Sequence, residues 1–120
     1  MTERKVRMKQ KPHMKLNAWK KAIEMTVQVY VLTDKFPETE KFGLISQMRR
    51  AAVSVASNIA EGAARGTKKE FAHFLYNAQG SLSELDTQAL ISYKLGFIEQ
   101  EAFESLSVEM ELESKLISGL

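Results

Sequence analysis

From Leu16 onward, apolar residues recur at steps of three and four, the spacing of one face of an α-helix and not the alternation of a strand. Leu16, Trp19, Ile23, Val27 and Tyr30 make one stripe, and Ala22, Met25, Val29 and Leu32 make a second. A helix with two apolar stripes must cover both, which asks more of a lone small bundle than one stripe does. This first helix is predicted over 16–35 and stops at Phe36-Pro37, because proline disfavours helical geometry in the residue before it. A second is predicted over 39–62, with Ile45, Met48, Ala52, Val55 and Ile59 as its packing seam and Gly62 as its stop. Between Ala51 and Ala60 the polar residues are Ser54, Ser57 and Asn58 alone, so this stretch reads as buried on more than one side.

The segment Gly62-Ala63-Ala64-Arg65-Gly66 reads as a loop. Thr67 then opens a third helix, predicted over 67–95, with Glu70 three residues later in a capping-box pattern. Its stripe is Phe71, Phe74, Leu75, Ala78, Leu82, Leu85 and Ala89, and it ends near Leu95-Gly96. A fourth helix over 99–118 carries Phe103, Leu106, Met110 and Ile117 on one side. Its other face is expected to be acidic, with Glu99, Glu101, Glu104, Glu109, Glu111 and Glu113 against Lys115. Four helices joined by short loops predict an all-α domain over 16–120, an antiparallel up-down four-helix bundle. No strand-like segment and no repeat of solenoid period competes with it.

Composition narrows the class without naming a function. Of 120 residues, 44% are hydrophobic and 27% charged, ordinary for a globular protein and too apolar for a disordered one. Cysteine is absent, which excludes disulfides, thiolate metal sites and a thiol nucleophile. No apolar run approaches the roughly 18 to 20 residues that span a bilayer, and no secretory signal pattern follows the basic start. The cytoplasm is the default location. Seventeen basic residues face fifteen acidic ones, net +2, so the average charge says little and the distribution more. Residues 1–15 hold Arg4, Lys5, Arg7, Lys9, Lys11 and Lys15 against Glu3 alone, without apolar periodicity. They read as a flexible tail, either solubilising or an arm that tracks phosphates.

Catalytic chemistry finds no footing. A di-metal bundle site needs two Glu-x-x-His pairs and two further glutamates. Glu70 and His73 supply one pair, and the remaining histidine, His13, lies in the tail. Glu70 is better explained as a capping carboxylate and His73 as a helix-surface or interface residue. The loop ending Gly66-Thr67-Lys68 follows a helix where a phosphate loop needs a strand, and it lacks the Gly-Lys-Ser/Thr ending. No enzyme, metal or cofactor is expected.

The basic residues offer more. Arg49 and Arg50 sit together in the second helix, Arg65, Lys68 and Lys69 flank the following loop, and Lys20 and Lys21 lie near the start of the first helix. Such side chains suit phosphates, although dispersed charges are more often a solvated face with scattered ion pairs. Trp19, Tyr30, Phe71 and Phe74 fall on core-facing stripes, so no base-stacking platform is expected. Asn58 and Glu61 neighbour each other at three residues' separation beside Gly62, either as a hydrogen-bonded registry device at a subunit contact or as a local cap.

The run Phe36-Pro37 through Glu40-Lys41-Phe42-Gly43-Leu44, then Gln47-Met48-Arg49-Arg50-Ala51-Ala52, then Ser54 and Asn58-Ile59-Ala60-Glu61-Gly62, resembles a bacterial four-helix bundle family. Its members include proteins encoded in 23S rRNA intervening sequences and accessory variability determinants of diversity-generating retroelements. Glu70-Phe71, Phe74-Leu75, Gly80-Ser81-Leu82, Glu84-Leu85 and Leu95-Gly96-Phe97 extend the match to about 16–112. The resemblance implies a homopentameric ring with a basic surface, and binding of nucleic acid or a reverse transcriptase without catalysis. It places the family's arginines on Arg49 and Arg50 and its Asn-Glu pair on Asn58 and Glu61. Two functions are expected from residues and resemblance together. One is an oligomeric RNA- or DNA-binding module acting through backbone phosphates. The other is a protein-interaction scaffold that recruits a partner such as a polymerase.

Overall fold

The computed structural model of the chain describes residues 10–120; the expected tail over residues 1–9 lies outside the described residues. From Pro12 to Lys15 the chain winds into a short 3-10 turn that packs against the first two α-helices, so ordered backbone begins before the apolar pattern does. Four α-helices follow: α1 (Asn17–Thr33), α2 (Leu44–Ala63), α3 (Lys68–Lys94) and α4 (Gln100–Ser118). No strand occurs among the described residues. The pairs α1–α2, α2–α3, α3–α4 and α1–α4 are all in contact, so each helix has two neighbours and the four close around one core. This is the four-helix bundle that the periodicity predicts.

The boundaries show which local rules prevail. The second helix begins at Leu44, not near Thr39. Glu38–Glu40 form a separate 3-10 turn after Pro37, and Glu40 Oε1 then accepts the Leu44 backbone N–H at 3.1 Å. A Cβ at position 43 would lie 2.6 Å from that oxygen, so Gly43 leaves the carboxylate room to reach an orphan amide. Gly62 does not stop α2; it is buried inside the last turn, and the helix continues to Ala63. At the end of α3, Gly96 takes φ +83°. Gly96 N–H donates to Tyr93 O and Phe97 N–H to Ser92 O at 2.9 Å, the paired bonds of a Schellman ending, which needs left-handed backbone.

Thr67 caps α3 by accepting the Glu70 N–H at 3.2 Å, whereas the returning bond from the Glu70 side chain is not formed, so half of the capping box is realised. Thr67→Ala is expected to cost about 1 kcal/mol, read as a melting temperature about 4 °C lower. An unchanged melting curve would show that solvent serves that amide equally well.

The core is built from Met25, Val29, Met48, Val55, Ile59, Leu85 and Leu106, all fully buried. In α1 the stripe of Ala22, Met25 and Val29 points inward, extended by Ala18 and Thr33. Ile23, Val27 and Tyr30, expected to be covered as well, lie on the open side of the chain, with Val27 59% exposed. In α2 the seam is buried as expected apart from the half-buried Ile45, but Val53 and Ser57 face outward, so burial on a second side is not provided within the chain. In α4, Leu106, Met110 and Ile117 are joined in the core by Glu113, which sits at 0% exposure and not on the acidic outer face.

Candidate nucleic-acid interface

The helices divide the expected cationic residues between different places. Arg50 and Arg65 are fifteen residues apart along α2 and its exit, roughly 22 Å at 1.5 Å per residue. They cannot belong to one compact cluster.

Arg49 is used inside the fold. Its Nε donates to Thr33 Oγ1 at 3.0 Å and its Nη2 to Tyr30 O at 3.4 Å, while the guanidinium lies 4.5 Å from the Tyr30 ring centroid. Thr33 in turn donates its hydroxyl proton to Val29 O at 2.7 Å. A cation over the last carbonyls of α1 is favoured by the helix dipole, so Arg49 ties α2 to the end of α1. Lys21 is likewise committed: it pairs with Glu109 of α4 and, at 3.7 Å, with Glu24. Its hydrogen bond to Glu109 raises its pKa above the ordinary value for lysine. Both residues were expected on phosphates, and both instead join helices. Arg50 beside Arg49 is exposed and enters none of the ion pairs among the described residues.

The other expected cations, Lys20, Arg65, Lys68 and Lys69, lie at the opposite end, where α1 starts and α2 passes into α3, while the exposed Lys35, Lys41 and Lys94 stay with Arg50 at the first. Arg65, Lys68, Pro12, Leu16 and Phe71 line a shared groove of about 350 Å³, which brings the 3-10 turn against the α2–α3 loop. Lys11, Lys15, Lys20, Lys68 and Lys69 are exposed at this end and take part in no ion pair among the described residues. Arg65 bonds Glu61 at 2.7 Å and lies 4.9 Å from the Phe74 ring, so its charge is partly answered. Lys11 and Lys15 of the turn were credited to the tail by the sequence; their joining this patch depends on how the turn folds back.

Asn58 and Glu61 do not pair with each other. Asn58 Nδ2 donates to Ser54 O at 2.8 Å and Ser54 Oγ at 3.0 Å, and Ser54 Oγ shares a 2.8 Å hydrogen bond with Ser81 Oγ of α3. Asn58 therefore belongs to a polar rung between α2 and α3, and Glu61 to the Arg65 bridge. At Gly62 those helices approach closely, with Phe71 and Phe74 against its backbone.

Two aromatics were missed. Phe42 is 89% exposed and Tyr76 80%, and Tyr30 is half open beneath Arg49 where a core position was expected. Glu113 was missed too, although a signal existed: 106, 110, 113 and 117 continue the core spacing of α4 without a break. Both of its oxygens lack a hydrogen-bond partner, and burial pushes its pKa from 4.5 to about 7, with Lys21 pulling the other way. Among the described residues no three His, Asp or Glu side chains gather as a metal site, and no helix is long and apolar enough to cross a membrane.

With the bundle and its charge distribution established, comparison with known families identifies the architecture. The model of the 23S rRNA-intervening sequence proteins matches residues 14–119, nearly every described residue. The chain belongs to this family. Among solved structures it is similar to a protein of unknown function from the S23 ribosomal protein family of Bacteroides thetaiotaomicron. The TM-score is 0.76 at 21% identity, covering 85% of this chain and 95% of the other, which shows a shared fold. Comparison with curated proteins gives no match. The family match begins at Met14, inside the 3-10 turn, so Lys15 falls within the matched residues.

Proposed function

We propose that this member of the 23S rRNA-intervening sequence protein family is a non-enzymatic, oligomeric module that holds RNA or DNA by its backbone phosphates at the basic end of the bundle. The observation that carries the reading is the set of five exposed lysines, Lys11, Lys15, Lys20, Lys68 and Lys69, on one end without carboxylate partners among the described residues. Like charges grouped on one end raise the local potential and attract polyanions. The amides of Lys68 and Lys69, which the Thr67 cap leaves free, add a favourable dipole end to the same patch. Assembly supports the reading, because several copies would present several such ends to one strand. The exposed apolar side of α1 and α2 supports assembly in turn.

Binding by phosphates alone predicts strong salt dependence and little sequence preference. Five lysine–phosphate contacts on a single strand give a slope of about −3.5 in log K against log salt. Anisotropy titrations of a labelled RNA between roughly 50 and 200 mM salt test this, with Lys68→Glu/Lys69→Glu expected to lower affinity at least about tenfold at the low end. Arg49→Glu is unsuitable for this purpose, since Arg49 holds α1 to α2. Unchanged binding by the double lysine variant would remove this end as the site.

A second reading, a scaffold that recruits another protein such as a reverse transcriptase, is supported by the uncovered apolar residues Val27, Val31 and Phe42. Capture of a partner that survives nuclease treatment, with no retained nucleic acid, favours it over the first.

A further inference from the structure

Phosphates account for the lysines at the basic end of the bundle but not for the apolar hollow among them. Three parts of the chain meet around that hollow: Pro12 and Leu16 from the 3-10 turn and the entry to α1, Ala63 from the end of α2, and Phe71 from the first turn of α3. Leu16 and Phe71 fall on core-facing stripes by their spacing, yet both are only half-buried, and with the exposed Pro12 they line the groove with apolar surface. The rest of the lining includes Arg65, Lys68 and the Gly66-Thr67 corner, and no carboxylate. At Gly66 an added Cβ would meet nothing within 4 Å, so the backbone there is open to a ligand. Other hollows of the bundle are less suited to a polyanion. The groove between α3 and α4 is lined by Asp86 and Glu111, and one between α2 and α3 by Glu84, charges that repel phosphates.

We propose that the groove of about 350 Å³ at the basic end receives an unpaired base of single-stranded RNA or DNA, while the phosphates of the same strand lie on the surrounding lysines. The inference rests on the phosphate-binding function proposed above and adds a base contact to it. Single-strand sites join two parts, cations that follow the backbone and aromatic surface that takes the bases. Lys11, Lys15, Lys20, Lys68 and Lys69 supply the first part, and Phe71, flanked by Pro12 and Leu16, supplies the second at the same end. A base joined to its phosphate therefore answers both features of this end at once. Bases inside a duplex are paired and stacked on one another, so a duplex would reach the lysines and leave the groove empty, whereas a splayed base of a loop or free strand enters it. Every base has a π-face, so stacking leaves the sequence preference weak, as phosphate binding does.

The test changes the ligand before it changes the protein. The full chain is titrated by anisotropy with a labelled single-stranded DNA and with the same strand carrying abasic sugars in place of its central nucleotides. The phosphates are the same in both, so the slopes of log K against log salt should agree. The abasic strand should bind roughly 5- to 150-fold more weakly at each salt concentration, the effect of losing one stacked base. Phe71→Leu, checked for helicity by circular dichroism, keeps an apolar side chain beside Gly62 without the aromatic face. It should weaken the intact strand several-fold and leave the abasic strand unaffected, a difference that a loss of structure alone would not produce. Should this variant not fold, a strand with 5-iodouracil at its centre, cross-linked to the parent under light, should mark the peptide containing Phe71. Equal affinity of the parent for both strands would overturn the base contact while leaving phosphate binding in place, and an apolar side chain of a partner protein would become the candidate occupant. Equal weakening of both strands by Phe71→Leu, or a cross-link elsewhere, would overturn the position assigned to the base. Failure to bind either strand at low salt would overturn the phosphate-binding reading and this inference with it.

Discussion

Replacing Glu113 with glutamine is expected to stabilise the protein at pH 8 and to leave it nearly unchanged at pH 5. The folded carboxyl keeps its proton up to about pH 7, whereas in the unfolded chain it loses it near 4.5. Between those values the native state binds one proton more than the unfolded state, so stability falls as pH rises and levels off above about 7. The separation is equivalent to at most about 3 kcal/mol, and relaxation of the ionised side chain toward water brings the expected loss nearer 2 kcal/mol. The cause lies in the packing. Glu113 continues the core stripe of α4 and neither oxygen has a hydrogen-bond partner; Lys21, the opposite charge that acts on it, is held by Glu109. Glutamine has the same shape without the titration, so the difference between variant and parent isolates this group from every other ionisable side chain. Urea unfolding at pH 5 and pH 8 provides the measurement. A variant whose midpoint changes with pH as much as the parent's would show that Glu113 is already ionised or solvated in the native state. Glu113→Leu should gain more than glutamine at pH 8, because the amide still leaves buried polar atoms unpaired.

The same residue marks the boundary of what periodicity reveals. Spacing of three and four located all four helices, because a core stripe of Leu106, Met110 and Ile117 or Ala78, Leu82 and Leu85 is a direct consequence of helical geometry. Glu113 escapes it, because the charge of this residue points to the outer face and its register to the core. Start and stop residues were legible where one side chain decides them, as with Thr67 and Gly96, and misleading where two features compete. Gly62 has the composition of a helix stop but serves a close approach between helices, and the Glu40 carboxylate moves the start of α2 to Leu44.

The cationic site was only partly legible for a related reason. Sequence neighbours such as Arg49 and Arg50, or Lys20 and Lys21, diverge by about 100° on a helix, so one of each pair turns inward while the other faces solvent. Arg49 and Lys21 found the carbonyl end of α1 and the Glu109 carboxylate, contacts fixed only by tertiary packing. Arg50 and Lys20 stayed exposed. Each of these two dipeptides is thus half structural, half available, and counting its charges overstates the surface potential that it creates; Lys68 and Lys69, in the first turn of α3, are both exposed.

The tight approach at Gly62 predicts opposite outcomes for two glycine-to-alanine replacements. Inside a helix, Gly→Ala is worth about 1 kcal/mol in favour of alanine, wherever the methyl group has room. At Gly80 in α3 nothing stands within 4 Å of the added carbon, so Gly80→Ala should stabilise by up to about that amount. At Gly62 the added carbon would meet Phe74 Cβ at 2.8 Å, Phe71 Cδ1 at 2.9 Å and the Phe71 carbonyl at 3.3 Å. The Phe71 ring can turn aside, but Phe74 Cβ and the Phe71 carbonyl are fixed to the backbone of α3, so α2 and α3 must separate along their contact. Overpacking of this kind costs about 1 to 3 kcal/mol, and with three contacts at once the upper part of that range applies; less the roughly 1 kcal/mol that the helical preference returns, a net loss of up to about 2 kcal/mol is expected. The two variants should therefore melt roughly 10 °C apart, on opposite sides of the parent. Equal stabilisation of both would mean that the α2–α3 contact has slack at Gly62, and the polar rung of Ser54, Asn58 and Ser81, one to two turns away on α2, would then set the distance between these helices.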